Sequence, residues 1–163
     1  MTREEALRRI HRAAEENLTE LDLAGLELKD LPPEIGKCTQ LETLLLGKLD
    51  EGKRRWVGNK LTEFPDVVFQ LTNLKILVIA KNQITVIPEA IAQLSNLTEL
   101  DLSYNQTTVI PEALAQLSNL IQLSLDNNQI KVIPEAIRSM EKLKKMDLRS
   151  NRMPIIRWSR SRD

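Results

Sequence analysis

Leu97-Thr-Glu-Leu100-Asp-Leu102-Ser-Tyr-Asn105-Gln-Thr-Thr-Val-Ile110-Pro111-Glu-Ala-Leu114-Ala-Gln-Leu117-Ser-Asn119 has close copies on both sides of it, 23 residues apart. Pro65, Pro88, Pro111 and Pro134 keep that interval, and so do Asn59, Asn82, Asn105, Asn128 and Asn151. Two residue types locked to one period identify internal repeats. Units begin at Leu18, Leu41, Leu74, Leu97 and Leu120, with a partial one at Leu143. The second unit is longer by ten residues, an insertion at about 48–57.

Each repeated type has a physical task. Leu100 and Leu102 alternate with Asp101, so in a short strand both leucines point inward and Asp101 points outward. One strand per unit, stacked on its neighbours, makes a parallel sheet over a leucine ladder that no single unit could bury. The repeated asparagine turns inward, where its amide can satisfy backbone groups of the adjacent coil. Proline then fixes φ at the start of the return segment. Residues 89–94 supply a short helical stretch with Ile91 and Leu94 facing in.

The pattern LxxLxLxxN followed by LxxLPxxIxxL resembles that of the leucine-rich-repeat family, over residues 18–155. The Leu/Ile-Pro-x-x-Ile variant is similar to the Ras-group-related subclass, and to the repeats that precede the GTPase domain of bacterial Roco proteins. The resemblance implies an α/β solenoid. It is a curved right-handed β-α superhelix with a parallel concave sheet of about six short strands and short helical or 3-10 convex segments.

Residues 1–17 read as an N-terminal cap. Thr2 and Glu5 fit a capping box, and Leu7, Ile10, Ala13 and Ala14 recur at helical spacing to cover the first rung. Residues 156–163 are basic and aperiodic, and read as a flap carrying Ile156 and Trp158 or as a tail. In the first unit Leu26 stands where later units have asparagine, and Cys38 where they have leucine. Cys38 reads as a small core residue. Thr107 replaces the Ile or Leu of other units, and its hydroxyl is expected to bond a backbone carbonyl or a trapped water.

Composition bounds the function. The formal net charge is zero, without the basic excess of a dedicated nucleic-acid binder. The ends differ, however. Residues 1–36 hold nine acidic and five basic side chains, and residues 131–163 hold ten basic and four acidic ones. Cys38 is the sole cysteine and no apolar signal or membrane-spanning run appears, so a cytoplasmic location and no membrane partner are expected. On that reading the sequons at Asn17, Asn96 and Asn105 are products of the repeat pattern. Gly47-Lys48 lacks the glycine-rich loop of a phosphate site, no GxSxG, HExxH or CxxC occurs, and His11 is the only histidine. The expectation is a non-enzymatic module with no cofactor, metal or catalytic residue.

What remains is protein binding. Outward strand positions run Glu20 and Asp22, Thr43 and Leu45, Ile76 and Val78, Glu99 and Asp101, Gln122 and Ser124, Lys145 and Asp147. Lys81, Tyr104, Asp126, Asn127 and Arg149 follow the strands. Leu45, Ile76 and Val78 form an apolar patch, to be covered either by a partner or by the insertion folding back. Lys53, Arg54, Arg55 and Trp56 in the insertion are candidate partner contacts, as are Lys81, Asp101, Tyr104 and Asp126 on the concave side. The asparagine ladder is read as structural. An imperfect C-terminal cap admits a homodimer. The alternative function, implied by the resemblance, is a recognition module in a Roco-like or Ras-related GTPase system whose GTPase domain is absent here.

Overall fold

The computed structural model describes residues 2–153. The flap or tail at 156–163, and the homodimer that depends on that end, lie outside the described residues. Six three-residue strands form one parallel sheet: β1 (Glu20–Asp22), β2 (Thr43–Leu45), β5 (Ile76–Val78), β6 (Glu99–Asp101), β7 (Gln122–Ser124) and β8 (Lys145–Asp147), paired in that order. The insertion forms a separate antiparallel hairpin, β3 (Lys48–Asp50) with β4 (Arg55–Val57).

The register is strict. Leu21, Leu44, Leu77, Leu100, Leu123 and Met146 pair in sequence across the sheet. The first five are buried and Met146 is half-buried on the outermost strand. A one-residue slip of β1, β6, β7 or β8 would put Glu, Asp, Gln, Ser or Lys in their place. The return side is built from 3-10 turns at Pro33–Lys37, Asp66–Gln70, Glu89–Gln93 and Glu112–Gln116, and from a short α-helix, α2, at Glu135–Arg138. Proline precedes or opens each one. Ile35, Val68, Ile91, Leu114 and Ile137 drop from these turns into the core, all fully buried.

Two amide ladders hold the coils in step. In the inner one, Asn82, Asn105 and Asn128 are buried. The Asn105 Oδ1 accepts the Ile84 N–H at 3.0 Å, and its Nδ2 donates to the carbonyls of Ile79 and Leu102, each at 3.0 Å. Asn59 accepts from the backbone N–H groups of both Leu26 and Leu28, in the first coil, where Leu26 stands in place of a ladder asparagine. Lys81, Tyr104, Asn127 and Ser150 stand directly before the ladder asparagines with φ near 55°, in the left-handed region. That conformation swings each following asparagine inward. The outer ladder comprises Asn73, Asn96 and Asn119, whose amides donate to the carbonyls of Thr39, Thr72 and Ser95 one coil back.

Three sequence expectations need correction here. Thr107 is fully buried, but its hydroxyl donates to the Asn128 Oδ1 rather than to a carbonyl or a water. The ladder asparagine on the next coil is the nearer acceptor. Because Asn128 also accepts the Thr107 N–H at 3.0 Å, it keeps a donor if the hydroxyl is lost. Thr107→Ile therefore loses one hydrogen bond and gains apolar burial, each worth about 1 kcal/mol. Its melting temperature should stay within about 3 °C of wild type by calorimetry; a larger fall would show that the hydroxyl is indispensable.

The second and third corrections concern α1 (Thr2–Glu15). Glu5 makes no capping box with Thr2. Its carboxylate accepts from Arg8 and Arg9 at 2.7–2.8 Å, which holds its pKa down at about 2. The buried stripe is Ala6, Ile10 and Ala13, while Leu7 is only half-buried and Ala14 is exposed. Cys38, fully buried, sits under this helix with its thiol against the Ile10 carbonyl at 3.6 Å, and burial raises the thiol pKa. Gln40 Nε2 donates to the carbonyls of Ala13 and Leu18 at 3.0 Å, fastening the end of α1 to both ends of the first unit.

Candidate protein-binding face

The hairpin rises from the end of β2, and two glycines make this possible. A Cβ on Gly47 would lie 1.8 Å from the Ala80 carbonyl oxygen, and one on Gly58 would lie 1.7 Å from that of Lys81. Only glycine lets both legs of the hairpin press on the backbone of the next coil. Glu51–Arg54 form the turn, with Arg54 at φ 49° completing it.

Opposed residues in an antiparallel pair share a face. Leu49 pairs with Trp56, and Lys48 pairs with Val57. The Lys48 side looks toward the first coil, where its ammonium meets the Asp22 carboxylate and Val57 lies 3.8 Å from the position of a Cβ on Gly25. The Leu49–Trp56 side leans the other way. The Trp56 ring reaches Tyr104 two coils on, with centroids 5.4 Å apart and planes tilted by 39°. The Lys81 ammonium stands 5.8 Å from the Tyr104 centroid, within cation–π range. Trp56, Tyr104 and Lys81 were separate candidates in the sequence; the fold brings them into one cluster.

Beside this cluster lies the sheet face. Leu45 pairs with Val78, and Ile76 lies two residues before Val78 on the same strand, so the three apolar candidates are contiguous; all are half-buried. Next in register, Ile76 pairs with Glu99 and Val78 with Asp101. Asp101 accepts from the Ser103 amide at 2.8 Å and from its hydroxyl. Burial raises the Asp101 pKa, and the charges of Asp126 and Glu99 raise it further, against the lowering effect of the Ser103 bonds. The same turn recurs at Asp22, bonded to the Ala24 amide, and at Asp147, bonded to that of Arg149. Those two carboxylates also have cations, Lys48 and Arg149 respectively. The Arg149 hydrogen bonds lower the Asp147 pKa. Asp101 has no ion pair among the described residues.

The candidates at the hairpin tip sit apart. Lys53, Arg54 and Arg55 are exposed at the hairpin tip, and Lys53 is 3.7 Å from Asp50. Asp126 is half-buried and accepts from the Asn127 side chain at 2.7 Å. Leu49 and Lys48 escaped sequence reasoning as members of this face. Strand alternation inside the insertion, with Leu49 one residue from Lys48 and seven from Trp56, was the signal available. Among the described residues no group of three or more His, Cys, Asp or Glu side chains is placed to hold a metal ion, and no helix is long and apolar enough to cross a membrane.

Comparison with known proteins agrees with this architecture. The "Leucine rich repeat" family model matches residues 57–107 and 107–153, together more than half of the chain. The chain belongs to the leucine-rich-repeat family. Its solved structural relatives include an internalin from Listeria monocytogenes, at 29% identity and TM-score 0.65, covering 78% of this chain and 34% of that one. The ectodomain of the receptor kinase SOBIR1 from Arabidopsis thaliana is similar at 31% identity and TM-score 0.60, over 76% of this chain and 64% of that one. A plant peptide hormone receptor, RGFR1, solved in complex with RGF2, matches at 28% identity and TM-score 0.61, over 76% of this chain and 19% of that one. This leucine-rich-repeat chain thus spans less than two thirds of each. Domains of this family generally mediate protein–protein interaction and are typically non-enzymatic.

Proposed function

We propose that this leucine-rich-repeat chain is a non-enzymatic module that captures a protein partner on its sheet face, with the hairpin as a side wall. The observation that carries the reading is the aromatic and cationic cluster of Trp56, Tyr104 and Lys81 standing beside the partly buried Leu45, Ile76 and Val78. Aromatic anchors next to apolar surface, rimmed by charge, are the usual composition of an interface centre. A partner covering about 800 Å² of this face would be of ordinary size. The receptor solved with its peptide hormone supports use of a repeat scaffold in this way.

Two pull-downs test the reading. Removing apolar surface with Ile76→Ser and Val78→Ser together should abolish capture of the partner. Val86→Ser and Val132→Ser, at largely exposed positions four residues past the ladder asparagines Asn82 and Asn128, should leave it unchanged. Equal capture by both double variants would remove the sheet face from the interface. Changing Lys53, Arg54 and Arg55 to Glu examines the hairpin tip in the same assay; unchanged capture of every partner would exclude the tip.

The Leu/Ile-Pro-x-x-Ile repeats favour a finer reading, a recognition module acting on a small-GTPase system in a reducing cytoplasm. Addition of the chain to a candidate GTPase should then change its nucleotide-exchange rate. An unaltered rate across candidates would leave the general binding role alone.

A further inference from the structure

We infer that the partner presents to this face an extended segment with a lysine or arginine next to an aliphatic residue. The inference rests on the face proposed above and names what it accepts. The floor of the site changes character within one strand spacing, about 5 Å. Ile76 and Val78 are apolar, and their in-register neighbours Glu99 and Asp101 are acidic. The aliphatic side chain would settle between Ile76, Val78 and the Leu49–Trp56 side of the hairpin, where Leu49 is 48% exposed. Its basic neighbour would then stand over the carboxylates.

Charge complementarity decides the sign of the partner. Three outward aspartates occupy equivalent places on their strands, and two of them already have cations from this chain. Asp101 alone has none among the described residues; burial opposes its ionisation first, and the charges of Asp126 and Glu99 oppose it further. A carboxylate held among like charges at the edge of an apolar surface costs stability in the free protein. A guanidinium or ammonium from outside relieves that cost on binding. The turn to Ser103 needs only an acceptor at residue 101, which asparagine also provides. The negative charge at residue 101 is therefore surplus to the fold.

Peptide-display selection tests this. A random twelve-residue library is selected on the whole immobilised chain, and synthetic copies of the enriched peptides are titrated by fluorescence anisotropy. The expected peptides carry Arg or Lys within two positions of Leu, Ile or Val. Their affinity should fall about tenfold with Asp101→Asn, fall further with Asp126→Asn added, and weaken as salt rises. Asp66→Asn, far from the face on a 3-10 turn, should change nothing. Asp101→Asn itself should melt at or above the wild-type temperature, because it removes repulsion and keeps the turn. A lower melting point together with unchanged affinity would show a structural role and overturn the inference. Neutral or acidic peptides that still lose binding with Ile76→Ser and Val78→Ser would overturn the basic-partner inference and leave the binding face standing. Peptides indifferent to every one of these substitutions would overturn both, and a selection that enriches no peptide dependent on this face would overturn the inference of an extended basic segment.

Discussion

Asn128→Ala should lower the melting temperature by about 10 °C, the largest loss expected from any single ladder position. The Asn128 carbonyl oxygen accepts from the Thr107 amide at 3.0 Å and from the Thr107 hydroxyl. Its amide nitrogen donates to the carbonyls of Leu102 at 2.9 Å and Leu125 at 3.1 Å, with a longer contact to Asp126 at 3.3 Å. Thr107 is itself fully buried, so its hydroxyl and amide would face a methyl group and no water. An orphaned buried polar group costs about 1–3 kcal/mol. With partial relaxation of four or five such groups the total is about 4 kcal/mol, and a domain of this size loses about 2–4 °C per kcal/mol. Asn151→Ala should cost less, because Asn151 is only half-buried at the outermost described coil. Calorimetry on the two variants checks both magnitude and order. A fall below about 3 °C for Asn128→Ala would mean that the ladder is not what ties the coils together.

Gly58→Ala should be nearly as damaging, and should also detach the hairpin from the sheet face. The added Cβ would lie 1.7 Å from the Lys81 oxygen, 2.5 Å from its carbonyl carbon and 2.8 Å from the Ala80 oxygen. All three are backbone atoms of a coil tied to its neighbour through the Lys81 N–H, which donates to the Ser103 carbonyl at 2.9 Å. Neither side yields cheaply, and overpacking against fixed backbone costs about 3 kcal/mol. Relief comes by moving the hairpin leg, which draws Trp56 off Tyr104. Tryptophan fluorescence in a Trp158→Phe background reports that separation as a shift toward solvent-exposed emission. Gly52→Ala, at the hairpin turn, meets only the Asp50 side chain at 3.5 Å and should be neutral in both assays. Equal behaviour of the two glycine variants would contradict the close-approach explanation.

The fold was legible because its determinants are periodic. Leucine alternation and the Asn and Pro spacings each encode a contact made once per coil, so five copies repeat the same message. The outer amide ladder was equally periodic in Asn73, Asn96 and Asn119, and passed unread because exposed asparagines look like solvated turns. The left-handed residues were hidden for another reason. Lys81, Tyr104, Asn127 and Ser150 share a backbone conformation and no side-chain chemistry. At the first coil the capping-box pattern was present, but two arginines one turn away outcompeted the backbone for Glu5.

The candidate site was legible only in pieces. Strand alternation placed Leu45, Ile76, Val78 and Asp101 on one face. It could not bring Trp56 to Tyr104, because the insertion occurs once and its direction depends on where Gly47 and Gly58 let the chain press on the next coil. That no described residue gives Asp101 a cation is likewise invisible in sequence, since Lys48 and Arg149 reach the equivalent aspartates from quite different places.

Photocrosslinking tests the central claim most directly. A benzophenone amino acid placed at Gln122, on the outward row of the sheet, and separately at Val109, two-thirds exposed and off the sheet, four residues past Asn105, reports which surface the partner touches. Capture of one defined protein from Gln122, lost when Ile76→Ser and Val78→Ser are added, and no such capture from Val109, is the result expected. The same protein captured from Val109, or captured from Gln122 regardless of the two serine substitutions, would contradict binding at this face.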